Sequence, residues 1–114
     1  MTGKILLNLD TEEEGEIYIG CAGGIGTTAT FKYKTKDTPK NYFWFKVSVN
    51  GLKGGHSGSD IDHGLGNANK ILNRFLYSLL DKKYKLVLSE IGGGNLHNAI
   101  AREAYAVAGV KIKH

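Results

Sequence analysis

The sequence predicts an α+β protein with two layers, an antiparallel sheet of about four strands with one main helix on one face. Segments 28–34 and 42–50 alternate apolar and polar residues with a period of two, which is typical of half-buried strands. Segment 64–81 places apolar residues at helical spacing. Two further strand-like segments follow the helix. A helix laid on one face of an antiparallel sheet accounts for this order.

The first 24 residues have a different pattern. Segment 4–9, KILLNL, is apolar on both faces, which is typical of a strand buried in a layered sheet. Segment 16–19 predicts a second short strand, and an acidic run, TEEEGE, lies between the two. The chain shows no helix that would cover both faces of such strands, which indicates that their partners belong to another part of the protein.

The helix predicted over 64–81 is the most regular element. Asp60 or Asp62 is placed to cap its start. Its apolar stripe consists of Leu65, Ala68, Leu72, Phe75, Leu76 and Leu79. We expect the stripe to pack on the face of 42–50 that carries phenylalanine and valine, and to bury Phe75, whose truncation to alanine would then cost about 3–5 kcal/mol. Strands are predicted over 84–91 and 103–112.

Composition restricts the class of protein. The 114 residues, 41% of them hydrophobic, suit one soluble domain with a modest core. The net charge is +4, but the acidic residues are concentrated early and the lysines are scattered, which favours a solvated surface over nucleic-acid binding. No apolar run suits a membrane helix, and no secretion signal is apparent. A single cysteine, Cys21, fits a reducing compartment, so we expect a cytoplasmic protein.

Three side chains could take part in chemistry. Asp10 follows a buried-type strand, where a carboxylate can ligate a divalent cation, although its spacing alone favours a turn or cap residue. His56 lies among glycines in LKGGHSGS, so its imidazole could approach a ligand and donate to a developing oxyanion; a surface-loop histidine fits the pattern equally. Asn98 follows a glycine run, and its amide could bind a substrate carbonyl or organise its own turn.

Three long motifs cover nearly the whole chain in order. They are LNLDTEEEGEIYIGCAGG, VNGLKGGHSGSDIDHGLGNANKILNRFL and GGGNLHNAIAREAYAV. Together they resemble aminoacylhistidine dipeptidases, the Xaa-His or cytosol non-specific dipeptidase branch of the di-zinc peptidase family that also contains carnosinase-like enzymes. The resemblance implies a zinc-dependent hydrolase of Xaa-His dipeptides, with two zinc ions in a catalytic domain and an inserted lid or dimerisation domain.

The resemblance also implies that this chain is a fragment. Residues 1–24 would end the first half of the catalytic domain, and residues 25–114 would form a lid or dimerisation domain, a truncated ferredoxin-like fold. The family's other zinc ligands and its general base have no counterparts in the sequence. We therefore expect the isolated chain to be inactive and to bind no zinc.

The same resemblance implies roles for four residues. Asp10 would ligate one zinc ion, and His56 would polarise the scissile carbonyl as a catalytic residue. Asn98 and Gly55 would bind the substrate. One residue departs from the family pattern, since Ala101 stands where the family usually has proline, which would loosen the turn after Asn98.

Two non-enzymatic alternatives remain open. The edge of a truncated antiparallel sheet is a ready surface for pairing, so the chain could act as a dimerisation or binding module and form a homodimer through the lid sheet. An RNA-binding sheet is suggested by YFWFKVSV, but the Lys/Arg-Gly-Phe run of that class is absent from the sequence. We expect neither nucleic-acid nor membrane partners.

Overall fold

A computed structural model of the protein describes residues 2–5, 7, 13–20 and 23–112. The chain divides into two units, Met1–Thr35 and Lys36–His114. Every helix and strand within the described residues belongs to the second unit.

The described residues of the first unit form neither a helix nor a strand. The strands predicted over 16–19 and 28–34 are therefore wrong, and the strand predicted over 4–9 lies partly outside the described residues. Exposed fractions of 91% for Ile17 and 82% for Phe31 show that these segments bury little. A strand becomes stable when a neighbour pairs with its backbone and covers its apolar side chains, and no described strand does so here.

The second unit is a three-stranded antiparallel sheet with one helix. Its elements are β1 (Tyr42–Val49), a short 3-10 helix (Ile61–His63), α1 (Ala68–Asp81), β2 (Leu86–Gly93) and β3 (Ala104–Lys111). The strand order is β1-β3-β2, so β3 is central and both other strands are edges. The predicted α+β class is confirmed. The described sheet has three strands rather than about four because segment 28–34 does not join it.

The core lies between α1 and one face of the sheet. Ala68, Leu72 and Leu76 recur every fourth residue, so they share one face of the helix and are buried there. They pack against Ala104, Ala106 and Ala108 of β3 and against Phe45, Val47 and Val49 of β1. Small alanines on the central strand let the helix approach closely, and Leu72 is the largest fully buried side chain among the described residues.

Phe75 lies at the margin of this core. It is 41% exposed and meets Phe45 edge-on, with 6.5 Å between the ring centroids. The predicted stripe is therefore correct in its centre, but the expectation that Phe75 is buried is wrong, because Phe75 lies to one side of the helix face that Ala68, Leu72 and Leu76 form.

The helix begins later than predicted. Asn67 caps α1, since its side-chain oxygen accepts a hydrogen bond from the Lys70 N–H at 3.2 Å. Neither Asp60 nor Asp62 caps this helix, because Asp60 precedes the short 3-10 helix and Asp62 lies within it. The Ala68 N–H at the helix start instead donates to the carbonyl of Ala101 at 2.8 Å. This bond ties the helix start to the chain entering β3.

Candidate functional site

Two loops that hydrogen-bond to each other form the candidate site. His56, between β1 and α1, and Ala99, between β2 and β3, make an isolated antiparallel bridge. Beside it, the Ser57 N–H donates to the Asn98 carbonyl at 3.0 Å. The fold therefore brings together the backbones of His56 and Asn98, the two polar residues of this unit that the sequence predicted as functional.

The imidazole of His56 is held by its own loop. Its Nδ1 accepts hydrogen bonds from the backbone N–H groups of Gly58 at 3.1 Å and Ser59 at 3.2 Å. An imidazole nitrogen that accepts two hydrogen bonds carries no proton, so the neutral ring has its proton on Nε2. His56 is exposed. The loop thus presents a single N–H donor to a group outside it.

The two glycines before His56 are required by close packing. Gly54 is buried with φ +72°, and a Cβ there would lie 2.7 Å from Cδ of Arg102. At Gly55 a Cβ would lie 2.8 Å from Cδ1 of Leu65. The carbonyl of Gly55 accepts from the Ile100 N–H at 2.8 Å, which continues the pairing of the two loops. The glycines therefore let the His56 loop approach its neighbours.

Two residues at the site were missed by the sequence reasoning. Arg102 donates from Nε to the Leu52 carbonyl at 3.1 Å and so clamps the start of the His56 loop. Asp60, predicted as a helix cap, instead accepts from the His56 backbone N–H at 2.7 Å. No sequence pattern relates Arg102 to residues fifty positions away. The four-residue spacing from His56 to Asp60 was the only available signal.

Asn98 lies at an exposed turn, and its side-chain amide has no hydrogen-bond partner within the described residues. A cavity of about 620 Å³ lies nearby, and its lining includes Lys46, Gly55 and Arg102. Neither His56 nor Asn98 lines it. Gly55 therefore borders a concavity whose lining includes neither of the two polar residues.

The predicted metal ligand, Asp10, lies outside the described residues. Within the part of the chain that is described, no three His, Cys, Asp or Glu side chains come together as a metal site. The helices of that part do not combine the length and the apolar character that a membrane crossing requires.

Comparisons with known proteins find similarity to peptidases over most of the chain. The family model described as a peptidase dimerisation domain matches residues 38–113. The cytosol non-specific dipeptidase of Escherichia coli (strain K12) is 51% identical over 110 residues, which are 96% of this chain and 22% of that protein. The crystal structure of aminoacylhistidine dipeptidase from Vibrio alginolyticus is 43% identical, with a TM-score of 0.59 over 65% of this chain and 15% of that chain.

The resemblance to aminoacylhistidine dipeptidases that the motifs predict is thereby confirmed. The chain spans about a fifth of the length of the curated relative that it matches. The family match covers β1, α1, β2 and β3, which form the whole described sheet and its helix. On this evidence the chain belongs to the M20 peptidase dimerisation domain family.

Proposed function

We propose that this chain is the lid and dimerisation part of a cytoplasmic, zinc-dependent dipeptidase that hydrolyses Xaa-His dipeptides. Residues 1–24 would come from its catalytic domain and residues 25–114 from its lid. The family match and the two similar dipeptidases support this proposal. Because the chain spans about a fifth of its curated relative, the activity would belong to the full-length parent and the isolated chain would be inactive.

The observation that carries the proposal is the hydrogen bonding of His56. With Nδ1 occupied by the N–H groups of Gly58 and Ser59, the imidazole has one donor left, Nε2–H, and the ring is exposed. Such a donor stabilises the negative charge that develops on a carbonyl oxygen when a peptide bond is attacked. We assign this catalytic role to His56.

Asn98 and Gly55 would bind the substrate beside this donor. The backbone of each is hydrogen-bonded across the two loops, which would hold both residues at fixed distances from the imidazole. The side-chain amide of Asn98 can donate to and accept from a peptide group. Gly55 borders the cavity that Lys46 and Arg102 also line, so its backbone would contact a substrate bound there.

The full enzyme would bind two zinc ions, with Asp10 as one ligand. The described residues do not themselves fit a zinc site, since they assemble no three ligating side chains. The other ligands would therefore come from the remainder of the parent protein. Zinc ions in such sites polarise a carbonyl and lower the pKa of bound water. His56 would contribute its Nε2–H, the donor that remains when Nδ1 accepts from Gly58 and Ser59.

Replacing His56 by alanine in the full-length parent tests the catalytic role. We expect kcat to fall about 10²–10³-fold, the loss seen when one oxyanion donor is removed. KM should change little, because the donor acts mainly on the developing charge. His97→Ala, which removes another exposed imidazole, is the matched control and should retain wild-type turnover. Near-normal kcat in His56→Ala would exclude His56 from the mechanism.

A homodimer through the lid sheet is the second candidate function. The family match to a dimerisation domain favours it, and β1 and β2 are both edge strands whose outer backbone groups could pair with another copy. Light scattering of this chain over a range of concentrations tests the idea. A molar mass that rises toward twice the monomer value would support a dimer, and a constant monomer mass would contradict it.

A further inference from the structure

We propose that Asp60 is a positioning residue that holds the imidazole of His56 in its Nε2–H form. The catalytic consequence of this role rests on the proposed function, whereas the geometry itself belongs to the described loop. Asp60 would touch neither substrate nor metal. It would act through the backbone of the loop that carries the imidazole.

Asp60 closes the His56 loop through two hydrogen bonds to His56. Its carboxylate Oδ2 accepts from the His56 N–H at 2.7 Å, and its own N–H donates to the His56 carbonyl at 3.2 Å. Residues 56–60 therefore form a ring in which the first and last residues are bonded twice. Inside this ring, the N–H groups of Gly58 and Ser59 both point at Nδ1 of the imidazole. The side-chain geometry thus depends on the ring staying closed.

The carboxylate of Asp60 is itself fixed from two directions. Its Oδ1 lies 3.3 Å from Nδ1 of His63, which leaves Oδ2 to face the His56 N–H. On the other side, a Cβ at Gly55 would lie 3.0 Å from Oδ2, so a side chain at residue 55 would press on the carboxylate. A charged acceptor also makes a stronger hydrogen bond than a neutral one. These contacts explain why a short acidic residue stands four positions after the histidine.

Loss of the carboxylate should open the loop. The His56 N–H would lose its acceptor, and the N–H groups of Gly58 and Ser59 would no longer be held on Nδ1. The ring would then exchange between its two tautomers and rotate more freely. Only a fraction of molecules would present Nε2–H in the fixed direction that a positioned donor requires.

Nitrogen NMR of the chain labelled with ¹⁵N-histidine tests this directly. In the wild type, we expect His56 to show an unprotonated Nδ1 and a protonated Nε2, with His56→Gln identifying its signals. In Asp60→Ala, the two signals should move toward the average of a tautomer mixture. Asp60→Asn keeps an acceptor oxygen and should largely restore the wild-type pattern. Asp62→Ala removes a carboxylate that is 81% exposed and lies 3.8 Å from His63 Nε2, and it should leave the His56 signals unchanged.

Unchanged His56 signals in Asp60→Ala would overturn the proposal, and so would equal changes in Asp62→Ala. If circular dichroism shows that Asp60→Ala does not fold, Asp60→Ser provides the same test, since its hydroxyl is too short to reach the His56 N–H. The same prediction applies, and an unchanged tautomer in that variant would again contradict the role of Asp60.

Kinetics of the full-length parent separate this proposal from the proposed function. If both hold, Asp60→Ala lowers kcat roughly tenfold with KM nearly unchanged, and Asp60→Asn restores most of the loss. If Asp60→Ala loses the Nε2–H form of His56 but keeps its turnover, Asp60 is supported as the positioning residue and His56 is excluded from catalysis. An intact tautomer with reduced turnover would overturn the positioning role while leaving the function of His56 in place.

Discussion

In the first unit, Met1–Thr35, apolar side chains such as Ile19 and Phe31 are more than four-fifths exposed, whereas in the second unit, Lys36–His114, Leu72 is 1% exposed. Both units contain strand-like apolar segments, so hydrophobic content alone does not separate them. What differs is the presence of partners. In the second unit, Leu72 packs between one face of α1 and the neighbouring strands β1 and β3.

The polar contacts show the same contrast. In the first unit, hydrogen bonds to Glu13 and then Glu16 raise the pKa of the Tyr18 phenol, and both partners are near neighbours in sequence. In the second unit, Arg102 reaches the carbonyl of Leu52 across fifty positions. Long-range bonds of this kind fix a loop against the rest of a fold. The His56 loop has such bonds in addition to the local ones within residues 56–60.

Truncation of Leu72 should have the largest effect on stability. We expect Leu72→Ala to lower the free energy of unfolding by about 2.7–5 kcal/mol, because the side chain is fully buried between α1 and the alanines of β3. Ile19→Ala removes a similar volume from a side chain with no burial and should stay within about 0.5 kcal/mol of wild type. Urea denaturation followed by circular dichroism measures both.

Equal losses in Leu72→Ala and Ile19→Ala would contradict the contrast between the two units. A loss in Ile19→Ala alone would mean that the first unit carries the stability and that the core is misassigned. Phe75→Ala refines the comparison within α1. Because Phe75 is 41% exposed, Phe75→Ala should lower the free energy of unfolding clearly less than Leu72→Ala does. Such a result would distinguish the margin of the core from its centre.

Alternating and helical patterns predicted β1, α1 and their packing well, because the apolar residues of each element are buried against another element of this chain. The same reasoning failed for 16–19 and 28–34, since a pattern shows that a segment could pair but not whether a neighbour exists. The helix cap was misplaced because Asp60, a suitable residue by type, bonds His56 instead. Glycines identified the His56 loop, but the role of Asp60 within it was misread, and Arg102 bonds the start of the loop from a position that no local pattern relates to it.

Substitution of Gly54 tests whether the His56 loop is fixed by long-range packing. Gly54→Ala should lower the free energy of unfolding by about 1–2 kcal/mol from backbone strain alone, because Gly54 has a left-handed conformation with φ +72°. It should lose more because the new methyl group would displace the stem of Arg102. Gly51→Ala is the matched control, since its φ is +74° but nothing lies within 4 Å of the new Cβ. Denaturation midpoints of the two variants give the comparison.

The difference between these two glycine variants is the informative quantity. Both have the same conformational cost, so a larger loss at Gly54 measures the packing of Arg102 on the loop. Equal midpoints would show that the stem of Arg102 moves aside without cost, so that its packing on Gly54 does not stabilise the loop.

The smallest effect is expected at the start of α1, where a local cap from Asn67 and a long-range bond to the Ala101 carbonyl occur together. Asn67→Ala removes the side-chain acceptor for the Lys70 N–H and should cost about 1 kcal/mol, as other N-cap truncations do. Asn73→Ala, an exposed site inside the same helix, should be neutral or slightly stabilising because alanine is the better helix former. If Asn67→Ala has no effect on the midpoint, the bond from the Ala68 N–H to the Ala101 carbonyl is sufficient to fix the helix start. The start of α1 would then be stabilised by the distant residue Ala101 rather than by the Asn67 cap.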